Sequence, residues 1–99
     1  MELSGLETLV DCMRRHAESR KQIEAWCAEV RDATWITSAD IKNRYPNASI
    51  LKGNIYIFDI KGKKYRIATA VNFRKGYVFV KWAGTHAEYN KRKIQNRWK

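Results

Sequence analysis

Hydrophobic residues recur at helical spacing in the first third of the chain. Two apolar stripes have intervals of three and four residues: Leu6, Leu9, Val10 and Met13, and then Ile23, Trp26, Cys27 and Val30. This spacing puts each set on one side of a helix and predicts two amphipathic helices packed on a core. A short third helix, capped by Ser38, is predicted to end before Tyr45-Pro46. Residues 1–4 fit a short strand.

From Asn54 onward the pattern changes to strands. The segments NIYIFDI, YRIATAV and YVFVKWA are rich in β-branched and aromatic residues, and the turn sequences KGKK (61–64) and FRKG (73–76) separate them. Short turns of this kind predict a three-stranded antiparallel meander. The expected fold is therefore α+β, an antiparallel sheet with the N-terminal helices packed on one face and a short C-terminal helical segment. We expect a single domain over residues 1–99, with a basic tail at 91–99.

Two-residue loops would fix the register of this meander. They set Asp59 opposite Arg66, Arg66 opposite Ala83, and Ala68 opposite Lys81. Because side chains alternate between faces, one face is predicted to pack on the helices with Tyr56, Phe58, Ile60, Tyr65, Ile67, Val71, Val78, Val80 and Trp82. The open face is predicted to carry Ile55, Ile57, Asp59, Arg66, Ala68, Ala70, Tyr77, Phe79, Lys81 and Ala83.

Charge is distributed unevenly along the chain. The net charge is +10, but residues 1–33 contain five Lys/Arg against seven Asp/Glu, whereas residues 34–99 contain fifteen against three. A basic face on a small domain attracts polyanions, so nucleic acid is the expected partner, with acidic proteins or membranes as alternatives. No apolar run approaches the roughly 18 residues of a membrane span, and no secretion signal is recognisable. We therefore expect a cytoplasmic protein, with Cys12 and Cys27 as buried, reduced thiols.

The segment GTHAEYN, residues 84–90, concentrates the candidate chemistry. Thr85 and Glu88 have the spacing of a capping box, which predicts a helix that begins after Thr85 and assigns Glu88 to capping more than to catalysis. His86 then lies in the first turn, with Tyr89 and Asn90 on the same side of the helix. Near the cations Arg66 and Lys81, this arrangement suits RNA cleavage by the 2′-hydroxyl, which needs proton transfer and positive charge around the phosphorane.

These stretches resemble the HigB family of type II toxins, within the RelE-like group. The resemblance runs over AEVRDATW (28–35), ADIKNRYPNAS (39–49), YIFDIKGKKYRI (56–67) and GTHAEYN (84–90). It implies a RelE-like sheet and mRNA cleavage, commonly on translating ribosomes. It also implies a HigA-like helix-turn-helix antitoxin as partner, with operator DNA contacted only through that antitoxin, and no membrane partner.

The resemblance assigns roles to individual positions. Arg66, His86 and Tyr89 match the family pattern, and Lys81 fills a basic position of the last strand, so these four are the expected catalytic residues. The expected RNA-binding residues are Lys61, Lys63, Lys64, Asp59, Asn90, Lys91, Arg92 and Lys93. We expect no cofactor and metal-independent chemistry, because no acidic cluster is placed to hold a divalent ion.

The chain departs from the family pattern at three positions. The family usually has Asn where this chain has Asp59 and Lys63, and Asp where it has Asn90. Asn90 cannot transfer a proton, so an inactive copy of the toxin is one alternative. Non-catalytic nucleic-acid binding and docking of an acidic protein are two others.

Each candidate residue also has a plainer interpretation. His86 is either a general acid or a structural histidine, and Arg66 either binds phosphate or pairs with Asp59. Tyr89 either donates a proton, stacks a base, or covers the core. The lysines at 61, 63 and 64 form either a phosphate clamp or a solvated turn, and residues 91–93 contact RNA or simply end a helix. Tyr77 and Phe79 stack bases, contact the antitoxin, or lie under the tail.

Overall fold

Four helices and five strands follow one another in a computed structural model, which describes residues 1–92. The elements are β1 (Glu2–Ser4), α1 (Leu6–Arg15), α2 (Arg20–Asp32), α3 (Ser38–Arg44), β2 (Ser49–Leu51), β3 (Ile55–Ile60), β4 (Tyr65–Asn72), β5 (Tyr77–Thr85) and α4 (His86–Arg92). The strands form one sheet in the order β1-β5-β4-β3-β2, with β1 parallel to β5 and the other pairs antiparallel. The predicted α+β class, the meander and the strand at residues 1–4 are confirmed, and β2 is an addition.

The helices cover one face of the sheet and form the core there. The predicted stripes supply most of their buried residues, although Val10 is 46% exposed. Phe58, in the middle of β3, is fully buried, with its ring centroid 5.3 Å from that of Trp26 and 5.1 Å from that of Tyr45. Both cysteines are buried free thiols, as predicted, and burial raises the pKa of each.

The cap of α3 differs by one residue from the prediction. Thr37, not Ser38, is the N-cap, and its side chain and that of Asp40 form a capping box. The Asp40 carboxylate accepts hydrogen bonds from the backbone N–H groups of Ile36 and Thr37 at 2.8 and 3.1 Å. These two bonds lower the pKa of Asp40. Threonine and serine are both favourable N-cap residues and stand next to each other here, so sequence spacing alone did not separate the two.

The predicted register holds for the first hairpin and for only half of the second. Asp59 pairs with Arg66, and Ala70 pairs with Phe79, as two-residue loops require. Between Ala68 and Thr69, however, the ladder shifts, and Lys81 is the extra residue on β5. The predicted pairs of Arg66 with Ala83 and of Ala68 with Lys81 are therefore wrong. Arg66 lies opposite Gly84, and Ala68 lies opposite Trp82.

This β-bulge exchanges two side chains between the faces of the sheet. Trp82, predicted in the core, packs instead with Ile57 and Ala68 on the open face, and Ala83, predicted on the open face, lies in the core under the helices. A bulge adds one residue to a strand, so the alternation of side chains beyond it is reversed. The exchange puts a tryptophan beside the start of α4.

Candidate active site

Helix α4 begins where the capping box predicts. The Thr85 backbone N–H donates to Glu88 Oε1 at 2.8 Å, and the Glu88 N–H donates to Thr85 Oγ1 at 3.0 Å. The His86 N–H donates to the carbonyl of Lys64 at 2.9 Å. Hydrogen bonds thus hold the start of α4 to its capping residues and to the turn that connects β3 and β4.

Glu88 also connects α4 to the helix-covered side of the sheet. Its Oε2 accepts from Arg15 Nη1 at 3.1 Å, and His16 Nε2 lies 3.6 Å from Oε1. Burial pushes the pKa of Glu88 up, but the hydrogen bond from Thr85 and the charge of Arg15 outweigh it and leave that pKa lowered. Both carboxylate oxygens are engaged in holding the helix, which supports the capping interpretation.

Arg66 is held in place by Asp59 on the neighbouring strand. The Nε–Oδ1 distance is 2.9 Å, and the side chains are only 19% and 10% exposed. The bond uses Nε, and among residues 1–92 no hydrogen bond to the terminal Nη atoms accompanies it. A planar guanidinium oriented in this way can use its terminal donors to bind two oxygens of an anion such as phosphate.

The Tyr89 ring is close to both Arg66 and His86. The Arg66 Cζ is 4.6 Å from the centroid of the Tyr89 ring, within the range of a cation–π contact. The same ring is 6.5 Å from the His86 ring and 5.9 Å from that of Trp82, between centroids. An arginine, a tyrosine and a histidine from two elements thus converge at one end of the open face.

Asn90 completes this group from the next position of α4. Its Nδ2 lies 3.2 Å from Nδ1 of His86. The contact engages Nδ1 and thereby orients the imidazole ring. Nε2 is the ring nitrogen that does not contact Asn90. An amide can present either its N–H or its oxygen, so Asn90 is compatible with either neutral tautomer of the ring.

The remaining predicted cations lie around this group and not within it. Lys81, on the bulge, has its Nζ 5.9 Å from the centroid of the Phe79 ring and lines a neighbouring depression. Lys64 has its Nζ 3.7 Å from Glu18 on the helix side of the sheet. Lys61 and Lys63 are exposed in the first turn. The three lysines of the first turn therefore do not form one phosphate clamp, because Lys64 pairs with Glu18 on the helix side.

The candidates at the C-terminal end are only partly described. Lys91 is an exposed residue of α4, and Arg92 is the last residue of that helix. Lys93 and the rest of the basic tail lie outside the described residues.

Two contributors to the site escaped the sequence interpretation. Trp82 was placed in the core because the bulge leaves no signature in the residue pattern. Arg15 is not among the candidates of the sequence analysis, yet its Nη1 binds the cap of α4 and its Nη2 lies 3.4 Å from the Ala83 carbonyl. A single-sequence pattern does not contain such contacts between elements far apart in the chain.

A family model described as HigB_toxin, RelE-like toxic component of a toxin-antitoxin system, matches residues 19–92. The match covers most of the chain, includes every element from α2 to α4, and confirms the resemblance inferred from the sequence. Comparison with curated proteins gives no match. Within residues 1–92 no helix has the length and apolar character of a membrane span, and no three His, Cys, Asp or Glu side chains are grouped to hold a metal ion.

Proposed function

The chain belongs to the HigB family, the RelE-like toxic component of toxin–antitoxin systems, and on this premise we propose that it is an endoribonuclease that cleaves mRNA. As a toxin of such a system it has an antitoxin as its partner. The proposal is supported by the convergence of Arg66, Tyr89 and His86 at one end of the open face. A basic surface alone would support nucleic-acid binding without chemistry.

The proposed reaction is an internal transfer within the RNA. The 2′-hydroxyl attacks the adjacent phosphorus, the P–O5′ bond breaks, and the products are a 2′,3′-cyclic phosphate and a 5′-hydroxyl. One proton leaves the attacking 2′-oxygen and one is delivered to the departing 5′-oxygen. The site must therefore move protons at two oxygens and stabilise the charge of the phosphorane between them.

Arg66 suits the charge-stabilising role. Asp59 fixes its Nε side, so the terminal nitrogens are pre-organised and no rotamer search is needed when phosphate binds. The low exposure of the pair strengthens its electrostatic effect, because little water screens it. In this proposal Asp59 is a positioning residue, and Lys81 and the lysines of the first turn add long-range attraction for the RNA backbone.

His86 and Tyr89 suit proton transfer and base positioning. An imidazole is suited to both giving and taking a proton, and His86 can do so through Nε2 while Nδ1 contacts Asn90. Tyr89 is fixed by Arg66 on its face and has a hydroxyl able to donate. Asn90 orients the imidazole without exchanging protons, which reconciles its departure from the family pattern with an active enzyme.

Induced expression in bacteria tests the proposal. Wild type is expected to arrest growth and to create new mRNA ends, whereas Arg66→Ala and His86→Ala are expected to do neither. Arg74→Ala is the matched control, because Arg74 is an exposed arginine in the turn at the other end of the sheet. The proposal would be contradicted if wild type accumulates to normal protein levels but creates no new mRNA ends in any growth phase.

Metal independence is tested with purified toxin and free RNA, without ribosomes, because ribosomes themselves need divalent ions to stay assembled. Cleavage is expected to persist in excess chelator, because the proposed chemistry uses only cations and proton donors of the chain. Activity that is lost in chelator and returns with a divalent ion would overturn this part of the proposal.

The family assignment also suggests the finer identity of the partners. We expect mRNA to be cut mainly on the ribosome, and we expect a HigA-like helix-turn-helix antitoxin to be encoded beside the toxin. Cleavage of the same transcript with and without ribosomes checks the first expectation, and co-purification with the neighbouring gene product checks the second.

A further inference from the structure

A second feature lies on the open face, beside the candidate active site. It is a shallow depression of about 530 Å³ over β1, β4 and β5, lined by Glu2, Ser4, Ala70, Tyr77, Phe79 and Lys81. Its volume falls in the range of roughly 300–1,000 Å³ found for ligand sites. We refer to it as the flanking depression.

An exposed aromatic ring dominates this depression. Phe79 is 41% exposed, although phenylalanine is usually buried. Ala70 lies directly opposite it on β4 and leaves the ring without a bulky neighbour on that side. A flat ring beside a small residue offers room for another flat ring to stack.

A cation stands at one end of the depression. Lys81 Nζ is 5.9 Å from the centroid of the Phe79 ring. Along β5, Lys81 lies between Phe79 and Gly84, and Gly84 is the residue opposite Arg66. The bulge residue Lys81 thus brings a positive charge close to the aromatic ring, from a position nearer than Phe79 to the residue opposite Arg66.

The other end of the depression carries an acid. Glu2 pairs with Tyr77 across β1 and β5, two residues further from Arg66 than Phe79. A carboxylate there repels a phosphate and can accept hydrogen bonds from the N–H groups at the edge of a base. The charges therefore fix a direction, with phosphate at the Lys81 end and the base toward Glu2.

From this arrangement we infer that the flanking depression binds one nucleotide of single-stranded RNA, with its base on Phe79 and its phosphate near Lys81. The inference rests on the proposed function, since the nucleotide flanks the one cleaved at Arg66. Ala70 is four positions from Arg66 along β4, roughly 13 Å at the rise of a strand. The bound base therefore belongs to a neighbouring nucleotide and not to the one at the scissile phosphate.

Stacking on Phe79 is expected to tolerate any base, because every base has a π-face. The depression would then contribute affinity and strand direction, and the choice of sequence would come from elsewhere. RNA is preferred over a protein occupant because the surface continues into the Arg66 site and residues 34–99 carry fifteen basic against three acidic residues.

The test measures binding of purified toxin to an uncleavable RNA strand with 2′-O-methyl groups throughout. A second strand of the same length lacks its bases. Phe79→Ala is expected to weaken binding of the first strand by roughly 5- to 150-fold, the usual range for one stacked base, and to leave binding of the abasic strand unchanged. Phe79→Trp is expected to retain the affinity of wild type for both strands, which guards against a folding defect.

Two further variants separate stacking from charge. Lys81→Gln is expected to weaken binding of both strands and to reduce the salt slope by about one. Ile50→Ala is the control for exposed apolar surface, because Ile50 is 48% exposed on the strand at the opposite edge of the sheet. Its affinity for both strands is expected to match that of wild type.

The contrary outcomes are distinguishable. If Phe79→Ala binds the base-carrying strand like wild type while wild type still cleaves RNA through Arg66, the depression is not a nucleotide site and only this inference fails. If Phe79→Ala loses affinity for the antitoxin with RNA binding unchanged, the surface belongs to the antitoxin and the inference is overturned. A wild type that neither binds RNA nor cleaves it, with or without ribosomes, would overturn the proposed function as well.

Discussion

The two faces of the sheet differ in what their side chains do. On the helix-covered face, Phe58 is fully buried among aromatic rings from α2 and the segment around α3. On the open face, Ile57 and Ala68 are buried in a small cluster with Trp82, whereas the ring of Phe79 is 41% exposed beside Ala70. The same strands thus form the main core through one face and leave part of the other face exposed. Substitutions on the two faces are expected to affect different measurements.

The largest effect on stability is expected at the centre of the helix-covered face. Phe58→Ala removes a buried ring and leaves a cavity, so the free energy of unfolding should fall by about 3–5 kcal/mol. Phe79→Ala, the same change on the open face, should alter it by less than about 1 kcal/mol because the ring is already partly in water. Urea unfolding followed by far-UV circular dichroism compares the two. Equal losses would show that the open face is a second core.

Substitution of Arg66, on the open face, is expected to have its large effect on activity and not on stability. Arg66→Ala should lower the cleavage rate by about 10²- to 10³-fold, the cost of removing one fixed donor to a transition-state oxyanion. Arg66→Lys should recover little, because an ammonium keeps the charge without the guanidinium fork. Single-turnover cleavage with Arg74→Ala as control measures this. If Arg66→Lys has nearly wild-type activity, Arg66 contributes only its positive charge and not the geometry of its guanidinium.

Glu88 connects the two faces and should show a smaller effect on both measurements. Glu88→Gln weakens the cap of α4 and the ion pair with Arg15, at a cost of about 1 kcal/mol in unfolding. Cleavage should fall with it, because His86 and Tyr89 are carried by that helix. Arg20→Gln is the control, since the Arg20–Glu24 pair lies on the exposed side of α2. Unchanged activity in Glu88→Gln would show that the site does not need the cap.

The same carboxylate predicts a pH dependence of stability. Its pKa is lower in the folded protein than the usual 4.5, so the charged form stabilises the fold. This contribution is present above the unfolded pKa and is lost as pH falls through the folded value. Unfolding of wild type and Glu88→Gln should therefore differ at neutral pH and converge in acid. A difference that stays constant from neutral to acidic pH would contradict the ionic explanation.

The smallest effect is expected at Asn90. Asn90→Asp restores the residue usual in the family and puts a carboxylate beside Nδ1 of His86. A negative charge there favours the protonated imidazole, so the pH profile of cleavage should move upward, with less than about tenfold change in the maximal rate. Asn47→Asp, outside the site, is the control. A large gain in rate with no change in the profile would show that the natural asparagine limits the enzyme for another reason.

Local signals predicted much of the fold. The helical stripes, the meander, the pairing of Asp59 with Arg66 and the capping box at Thr85 depend on spacing within short segments, and the sequence contains that spacing. The register beyond Lys81 was not predictable in this way, because a bulge depends on how β5 meets its neighbours. Its physical result is clear in the structure: alanine at position 83 lies under the helices, where α1 packs on β5, and tryptophan at 82 faces outward.

The site was predictable as a set of residues more than as a geometry. Arg66, His86, Tyr89 and Asn90 came from motif and resemblance, and the structure places them together. The contacts of Tyr89 with the arginine and the imidazole depend on the angle at which α4 leaves β5, where Arg15 and Lys64 contact the start of the helix. The pairing of Lys64 with Glu18 was not predictable from the sequence either, because the two residues belong to distant segments.

The central claim is that Arg66 and His86 act on the same phosphodiester. A double-mutant cycle on single-turnover RNA cleavage tests it directly, with Arg66→Ala, His86→Ala and the double variant measured against wild type. Residues that act as a unit are strongly non-additive, so the double variant is predicted to be little slower than the slower single variant. A rate reduced by the full product of the two single effects would mean that the residues act independently and would contradict the claim.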